Sequence, residues 1–422
     1  DSLVVIWPGG AYQELTSIPA NGHKVIRQEN ASGNYYRDRQ KDVPGPWLDT
    51  DSLIAFTHKD NIPLDFDREP LIAFAGSSKG PDISIGDTNG DGLQDLFISG
   101  AKRQASALFI QKDDRSFTQA GEAAFMPDAL NEDTGHILFD ADGDGWLDLL
   151  VVSGGNEFTE GEALRPRLYR NKGGDFKRDD AAFQNIYLNA SHVDTLDLDA
   201  DGDTDVFISS DAVPGAFGAR PQHGLFENDG SGRFREVTAE RFPEIQQFGS
   251  IQDFVWTDLN GDHRPDLVAA GHWNPIAVFL SEGGGWKRIK DNDLDTSQGL
   301  WNCVKAVDID LDVDLDLIGG NWGLNTKFRA SMETPITLYR YDFDQNGSVE
   351  PVVTYYHMGA ETPFASRDEL GKQMPFLNKK FRTYREFASA SMEALFGEEA
   401  LQKAERHQVH ELASCVFLNQ GN

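Results

Sequence analysis

Six short acidic segments of this 422-residue chain repeat one spacing of oxygen-bearing side chains. Asp, Asn or Glu stands at relative positions 1, 3, 5 and 9 of each segment, and glycine stands at position 6 of most of them. A tight loop turns alternate side chains inward, so the oxygens of positions 1, 3 and 5 converge on one point. Glycine at position 6 allows the backbone carbonyl of position 7 to join them, and position 9 closes the shell. The spacing therefore predicts repeated cation sites.

The predicted ligands supply six or seven hard oxygens per site at irregular angles. This set favours Ca²⁺ over Mg²⁺, which needs a strict octahedron, and over Zn²⁺, which prefers nitrogen and sulfur. A solvated acidic turn is the alternative for any single loop, but six recurrences favour metal, because clustered carboxylates repel one another without a cation. The predicted calcium ligands, loop by loop, are Asp87, Asn89, Asp91 and Asp95; Asp140, Asp142, Asp144 and Asp148; Asp197, Asp199, Asp201 and Asp205; Asp258, Asn260, Asp262 and Asp266; Asp308, Asp310, Asp312 and Asp316; and Asp342, Asp344, Asn346 and Glu350.

Three of the loops depart from the pattern. His263 and Val313 take the glycine position of the fourth and fifth loops, and for these two we expect altered binding. The sixth loop has Asn346 at position 5 and Glu350 at position 9.

Short apolar runs flank the loops and must position them. LFISG, LLVVSGG and VFISS follow the first three loops, and DISIG and HILF precede two of them, so each loop joins two strands. Further runs such as LYRNKGGDF and LFENDGSGRF give four short strands per repeat, the count of a β-propeller blade. The loops begin 53, 57, 61, 50 and 34 residues apart. The last interval is too short for a blade, so we interpret Asp342 as opening an outer hairpin of the fifth blade instead of a sixth.

A helical pattern interrupts the repeats near the end of the chain. KKFRTYREFASASMEALFGEEALQKAER places apolar residues on one helical face. We predict a helical insertion at about residues 380–406, packed on the propeller.

Composition restricts the partners. The formal charge of −31, from 69 acidic and 38 basic residues, argues against nucleic acid and anionic membrane surfaces. No tract of eighteen apolar residues occurs, so no membrane insertion is expected. The opening DSLVVIWPGG lacks the features of a signal peptide, which indicates a cytoplasmic protein or a piece of a larger one.

The pattern DxDxDGxxDL, followed by a strand and an N-x-G-x-F turn, resembles the FG-GAP or VCBS repeat of integrin-α-like β-propellers over about residues 70–356. The stretches GPDISIGDTNGDGLQDLFISGA and LYRYDFDQNGSVEPVVTYY look like bacterial surface proteins in which such repeats accompany an ASPIC/UnbV domain, a group related to cartilage acidic protein. The opening DSLVVIWPGGAYQELTSIPANGHKVIRQ resembles the closing part of an ASPIC/UnbV domain.

This resemblance implies an all-β fold, a β-propeller of seven blades with six as the alternative, and calcium in several loops. It divides the chain into the end of an ASPIC/UnbV-like β domain at 1–28, a connector at 29–50 and the propeller at 51–422. It also implies a fragment of a larger secreted protein that is extracellular, at the cell surface or periplasmic. The implied function is binding or adhesion, with an extracellular protein or glycan as the partner.

An enzyme is the competing interpretation. No GxSxG, HExxH, GxGxxG or P-loop motif occurs, so we predict no catalytic residue. His136, His192 and His272 could line one face of the disc, although a lone strand histidine is more often structural. A polysaccharide-active lyase or hydrolase remains the alternative function.

Aromatic residues beside asparagines suit a saccharide or a peptide side chain, whereas packing between blades is the plainer interpretation. The residues concerned are Trp146, Trp256, Trp273, Trp301 and Trp322, with Asn274, Asn302, Asn321 and Asn325.

Overall fold

The computed structural model describes residues 2–16, 24–38, 53–62 and 64–421. The chain divides into two compact units, Asp1–Ala55 and Phe56–Asn422. In the first unit, strands β1 (Ser2–Ile6) and β2 (Tyr12–Thr16) form an antiparallel pair, and helix α1 spans Tyr35–Asp38. The predicted connector at 29–50 lies outside the described residues from position 39 onward.

The second unit consists mainly of antiparallel sheets that follow one another along the chain. The first sheet contains β3 (Ile83–Gly86), β4 (Asp95–Ile98), β5 (Ala107–Gln111) and β6 (Phe117–Ala120). The second contains β7 (Asp133–Phe139), β8 (Asp148–Ser153), β9 (Arg167–Lys172) and β10 (Asp175–Asp179). The third contains β11 (Ala190–Leu196), β12 (Asp205–Ser210), β13 (Gly224–Asn228) and β14 (Phe234–Glu236). In each, the strands pair in chain order, as in a propeller blade.

The fourth and fifth sheets are interrupted by other elements. The fourth contains β15 (Asp253–Thr257) and β16 (Asp266–Ala270); β17 (His272–Asn274) leaves it to pair elsewhere, and β18 (Ala277–Glu282) and β19 (Gly285–Arg288) complete it. The partner of β17 is β20 (Gly299–Leu300). The fifth sheet begins with β21 (Cys303–Val307) and β22 (Asp316–Gly320).

A sixth sheet corrects our interpretation of Asp342. It contains β23 (Ile336–Tyr341), β24 (Glu350–His357), β25 (Ala360–Pro363) and β26 (Glu405–Val409), and β27 (Cys415–Phe417) then returns to pair with β22 of the fifth sheet. Asp342 therefore opens the turn of a separate four-stranded sheet instead of an outer hairpin of the fifth. Strands β22 and β27 lie before and after this sheet in the sequence and pair with each other. No local sequence pattern predicts that pairing.

Neighbouring sheets stack face to face through apolar side chains. The ring of Phe97 in the first sheet lies 4.7 Å from that of His136 in the second, and Phe207 in the third lies 4.9 Å from Phe254 in the fourth. Similar buried clusters join the second sheet to the third and the fourth to the fifth. This stacking of four-stranded sheets confirms the predicted β-propeller class.

The helical insertion is present as several short helices. They are α5 (Arg367–Gln373), α6 (Phe376–Lys380), α7 (Tyr384–Ala388), α8 (Met392–Phe396) and α9 (Glu398–Lys403), after α2 (Asp65–Arg68), α3 (Glu122–Phe125) and α4 (Thr238–Arg241) earlier in the chain. Short 3-10 helices span Gln28–Asn30, Met126–Asp128, Glu162–Leu164, Ile245–Gln247 and Asp293–Thr296.

The insertion packs on the sixth sheet. Leu370, Leu377 and Leu395 are buried in one cluster with Tyr339 and Val352 of that sheet. Among the described helices, none is long and apolar enough to cross a membrane.

Candidate metal centres

All six acidic loops occupy the same kind of junction. Each joins two antiparallel neighbours, β3 to β4 in the first sheet and β23 to β24 in the sixth, and position 9 is the first residue of the second of these strands. The strand arrangement thus places the loops of the first five sheets at the same end of each blade. Their position-9 side chains are buried, namely Asp95, Asp148, Asp205, Asp266, Asp316 and also Glu350 of the sixth sheet.

The position-1 aspartate organises the backbone of its loop. In the second loop, the carboxylate of Asp140 accepts the N–H groups of Gly143, Asp144 and Gly145 at 2.8, 3.2 and 2.8 Å. The equivalent bonds surround Asp87 and Asp258. The loop is therefore closed around its first carboxylate by its own amides.

The position-9 carboxylate ties the loop to its sheet. Oδ2 of Asp205 accepts the N–H of Leu198, and Oδ1 accepts the N–H of Asn228 on the third strand, both at 2.7 Å. The same pair of bonds recurs at Asp95, Asp148, Asp266 and Asp316. Position 9 thus has a structural role in addition to the predicted metal ligation.

Two positions of every loop have the left-handed backbone conformation. Position 6 has φ of 83° at Gly92 and 89° at Gly145, but also 64° at His263 and 84° at Val313. Position 4 is left-handed as well, occupied by Gly90, Gly143, Ala200, Gly261, Leu311 and Gln345. The fourth and fifth loops keep the common conformation despite their side chains, at the cost of backbone strain. The requirement at position 4 was missed, although the glycines of three loops were visible in the sequence.

The loops bring carboxylates close enough to share a cation. In four loops, oxygens from positions 1, 3 and 9 lie within 4.8 Å of one another, and these groups are Asp140, Asp142 and Asp148; Asp197, Asp199 and Asp205; Asp308, Asp310 and Asp316; and Asp342, Asp344 and Glu350. Asn89 and Asn260 stand at position 3 of the other two loops and donate to Asp91 and Asp262.

The position-5 side chain makes a hydrogen bond within its own loop. Its carboxylate oxygen accepts the N–H of position 7, as between Asp144 and Trp146 at 3.0 Å and between Asp201 and Asp203 at 2.9 Å. These residues stand outside the four converging groups. An independent sign of a missing partner is Oδ1 of Asp142, which is buried and accepts no hydrogen bond. The donor set is hard oxygen throughout and fits a divalent cation.

Comparison with known families agrees with this geometry. The profile of the FG-GAP-like repeat matches residues 87–151, 140–208 and 258–319. The chain contains FG-GAP-like repeats. The matches cover the first, second, third, fourth and fifth loops, and the antiparallel sheets are consistent with a β-propeller that contains such repeats.

Comparison with curated proteins gave no match. Among solved structures, the V. cholerae biofilm matrix protein Bap1 is 12% identical over 67% of this chain and 39% of its own, with a TM-score of 0.33. BBS1N, solved in complex with ARL6DN, is 11% identical over 69% of this chain and 81% of its own, with a TM-score of 0.34. A thermostable family-43 glycoside hydrolase is 11% identical over 70% and 95%, with a TM-score of 0.29. At these TM-scores the likenesses are too distant to inform function.

Burial destabilises the ionised form of three position-9 carboxylates in these loops. It raises the pKa of Asp148 and of Asp205 to about 6, and that of Glu350 to about 7, because the ionised form loses its hydration. Nearby carboxylates add to the rise, Asp142 acting on Asp148 and Asp344 on Glu350. A bound cation would remove this penalty.

The second loop has a protein cation beside it. Nη1 of Arg170 lies 3.2 Å from Oδ2 of Asp142 and 3.4 Å from Oδ2 of Asp148. The guanidinium lowers the pKa of Asp148 against the larger effect of burial. Arg170 thus compensates part of the negative charge of this loop.

Asparagines on the third strands connect neighbouring FG-GAP repeats. Nδ2 of Asn228 donates to the carbonyl of Ala141 in the preceding loop at 2.9 Å and to that of Thr204 in its own loop at 3.1 Å. Asn171 makes the same pair of bonds to Thr88 and Leu147. The asparagine of the N-x-G turn therefore links the acidic loops of neighbouring sheets.

The end of the sheets opposite the FG-GAP loops contains a small cavity of about 60 Å³ with a mostly apolar wall and a few polar side chains. Nζ of Lys79 lies 2.7 Å from Oδ2 of Asp211, and the amide of Gln252 bonds to both side chains. Nε2 of His272 lies 3.1 Å from Oδ1 of Asn302, and burial lowers the pKa of His272 to about 4. Lys79 and Asp211 are thus bonded to each other, whereas Arg220 lies exposed among the lining residues.

The three histidines named from the sequence have different surroundings. His136 is buried between the first and second sheets, where Nδ1 lies 2.6 Å from Oγ of Ser84, and burial lowers its pKa. Nε2 of His192 lies 3.9 Å from Asp253. His272 alone among the three lines the cavity.

Most of the tryptophans pack between sheets. Trp301 is fully buried and its Nε1 donates to Ser297, while Trp256 lies against the third and fourth sheets. Trp146 covers Gly90 of the first loop. Trp273 lines the cavity, and Trp322, partly exposed, lies edge-on to Phe74 in its wall.

Proposed function

We propose that this chain is a calcium-stabilised β-propeller that acts as an extracellular binding or adhesion module for a protein or glycan ligand. The observation that carries the proposal is the convergence of position-1, position-3 and position-9 carboxylates in four FG-GAP loops. The residues that would hold calcium are the 24 oxygen-bearing side chains named from the sequence, with positions 1, 3 and 9 foremost.

Calcium would supply charge compensation and coordination in these loops. Hydrogen bonds within the chain hold these loops in place. The carboxylate of Asp205 accepts from the backbone of the third strand, and the side chain of Asn228 on that strand donates to the preceding loop. Calcium binding would therefore stiffen several blades together, because neighbouring loops share hydrogen bonds. This supports a structural role for the metal.

The same chemistry supports the proposal of an extracellular location. Extracellular calcium modules bind at about 10⁻⁴ to 10⁻³ M, a range that is filled outside the cell. We propose secretion to a bacterial surface or the periplasm on this ground and on the resemblance to ASPIC/UnbV-containing surface proteins, including residues 1–28 as the end of such a domain.

The end opposite the loops is the surface proposed for the ligand. Aromatic side chains, Phe74, Trp273 and Trp322, stand beside polar groups there, and Arg220 lies exposed on the rim. This combination suits a saccharide or a polar peptide. Because Lys79 and Asp211 neutralise each other, the cavity supports binding better than acid–base catalysis.

The ligand proposal is tested by titrating panels of surface glycans and extracellular-matrix peptides in millimolar calcium. We expect saturable binding, and Trp322→Ala or Arg220→Ala should weaken it. The control Met358→Ala, at an exposed position on the turn after β24, should leave the binding unchanged. Release of reducing ends or unsaturated sugars would instead support the lyase or hydrolase. Absence of any saturable ligand with calcium bound would contradict the binding module.

A further inference from the structure

Two buried glutamates lie close together at the end of the second sheet that is opposite its acidic loop. Glu132 directly precedes β7, and Glu157 lies in the loop that follows β8. Asp133, the first residue of β7, pairs with Ser153, the last residue of β8, whereas the acidic loop joins the other ends of these two strands. The two glutamates are therefore separate from the ligands of the FG-GAP loops.

Gly155 brings the two glutamate side chains together. Its φ of 83° lies in the left-handed region. A Cβ added to this residue would stand 2.4 Å from Oε2 of Glu157 and 3.5 Å from Cγ of Glu132. Both side chains thus lie against the bare backbone of this glycine, on which they approach each other.

One carboxylate oxygen of Glu132 lacks a partner. The residue is 0% exposed, and its Oε2 accepts the backbone N–H of Lys102 at 2.8 Å. Its Oε1 is buried and forms no hydrogen bond with any residue that the structure describes. Because an unpaired buried oxygen costs free energy, this atom indicates a missing ligand beside it.

Glu157 is also buried, and its carboxylate is held in a fixed position. Oε1 accepts Nδ2 of Asn61 at 3.2 Å, and Oε2 accepts the backbone N–H of Asn156 at 3.0 Å. Both bonds come from neutral donors, so they orient the carboxylate without neutralising its charge.

Two protein cations near these carboxylates have other partners. Nη1 of Arg68 donates to the backbone carbonyls of Asn156 and Glu157 at 2.8 and 3.3 Å. Nζ of Lys102 lies over the ring of Phe158, 4.6 Å from its centre. Neither side chain therefore forms an ion pair with the buried carboxylates.

The surroundings of Glu132 penalise its negative charge. Burial raises the pKa of its carboxyl group to about 7, against the effect of the hydrogen bond from Lys102. The negative charges of Glu157, Asp60 and Asp133 add to the rise. A divalent cation neutralises both buried glutamates, whereas one proton shared between them neutralises only one.

We propose that Glu132 and Glu157 bind one further calcium ion, outside the FG-GAP loops. The unpaired Oε1 of Glu132 and the carboxylate of Glu157 are the hard oxygen donors that Ca²⁺ prefers. The ion fastens the loop after β8 to the residue before β7 and stabilises the sheet at its second end. This site is independent of the proposed function, because it shares no ligand with the FG-GAP loops.

Glu132→Gln tests the site, because it keeps the size of the side chain and an acceptor for the Lys102 amide but removes the charge. In equilibrium dialysis against millimolar calcium, the variant should carry about one calcium ion fewer than the wild type by mass spectrometry. Its melting temperature in chelator should be equal to or higher than that of the wild type, because a buried charge is gone. The rise in melting temperature that calcium produces should be smaller. Glu160→Gln, at an exposed position of the same loop, is the matched control and should behave like the wild type in each measurement.

Anomalous diffraction at a long X-ray wavelength locates the ion in crystals grown in millimolar calcium. The wild type should show a peak at about 2.3 to 2.6 Å from Oε1 of Glu132 and from the carboxylate of Glu157. Crystals of Glu132→Gln should lack this peak and keep the peaks of the FG-GAP loops. A wild type without the peak, or a variant with the calcium count and the calcium-dependent melting of the wild type, would overturn the proposal and leave the two carboxyl groups sharing a proton.

Discussion

Oδ1 of Asp205, the last residue of the third acidic loop, accepts the backbone N–H of Asn228 at 2.7 Å. Asn228 in turn donates its side-chain amide to Ala141 in the loop of the preceding sheet. One carboxylate thus links a predicted metal site, the third strand of its own blade and the neighbouring blade. The carboxylate proposed to bind metal therefore also takes part in the packing between blades.

Substitutions of Asp205 and Asp199 should separate the proposed role in metal ligation from the role in blade packing. Asp205→Ala leaves the buried N–H groups of Leu198 and Asn228 without acceptors and should cost about 2 to 4 kcal/mol even without metal. Asp199→Ala, at an exposed position of the same loop, should cost less than about 0.5 kcal/mol in chelator and lose only part of the calcium-dependent stabilisation. Urea unfolding in chelator and in calcium measures both, and equal losses in chelator would contradict the assignment.

Calcium-dependent stabilisation should increase with pH. Burial raises the folded-state pKa of Asp205 to about 6 and of Glu350 to about 7, above the unfolded values of about 4. Protonation of these groups therefore stabilises the metal-free fold fully below about pH 4, and this contribution is lost as the pH rises through 6 to 7. Calcium must displace those protons, so the melting-temperature difference between calcium and chelator should grow from pH 5 to pH 7.5.

The difference in melting temperature between calcium and chelator is measured because buried histidines change the stability of the fold with pH in the opposite direction. Burial lowers the pKa of His223 and of His272 to about 4, so their contribution is present above about pH 6.5 and is lost as the pH falls. These histidines affect the calcium and chelator samples alike. A calcium increment that is flat or falls with pH would contradict the carboxylate account.

Glycine at position 6 should stabilise the fifth loop. Val313 has φ of 84°, a conformation that strains a β-branched residue, so Val313→Gly should raise the free energy of unfolding by about 1 kcal/mol. His263→Gly should give a smaller gain of the same sign. The reverse change, Gly145→Val in the second loop, should be destabilising, and urea midpoints in chelator compare the three. Destabilisation by Val313→Gly would contradict the proposed strain.

The hydrogen bonds of Asn228 predict that removing its side chain lowers the free energy of unfolding, because one of these bonds reaches the preceding sheet. Asn228→Ala leaves the carbonyls of Ala141 and Thr204 without their donor and should cost about 2 kcal/mol. Gln111 is the matched control, since it occupies the same strand position in the first sheet and its side chain accepts only from Gln94. Gln111→Ala should therefore cost less than about 0.5 kcal/mol. Similar losses for the two variants would contradict the interblade link.

The sequence predicts local features of this protein well. Spacing located every acidic loop, and the flanking apolar runs located the strands around them, because a turn and its two strands are encoded by adjacent residues. The convergence of Asp140, Asp142 and Asp148 was expected on the same ground.

Long-range features were missed for a physical reason. The pairing of Ile318 with Val416 spans an entire inserted sheet, and no local pattern records it. Similarly, the left-handed backbone at Val313 is imposed by the loop and its hydrogen bonds, against the preference of the residue itself. The hydrogen bond from the position-7 amide to the position-5 carboxylate also depends on the backbone of the loop, which spacing alone does not specify.

The central claim, that the acidic loops hold calcium and that the fold depends on it, is tested most directly by metal analysis of the purified chain with parallel melting curves. Protein dialysed to equilibrium against millimolar calcium should carry about four to six calcium ions per chain in excess of the dialysis buffer by mass spectrometry, and chelator should lower its melting temperature strongly. Substitution of both Asp142 and Asp199 by Ala should reduce the number of bound calcium ions and the difference in melting temperature between calcium and chelator. A chain free of calcium that melts identically in calcium and in chelator would show that the loops are solvated acidic turns.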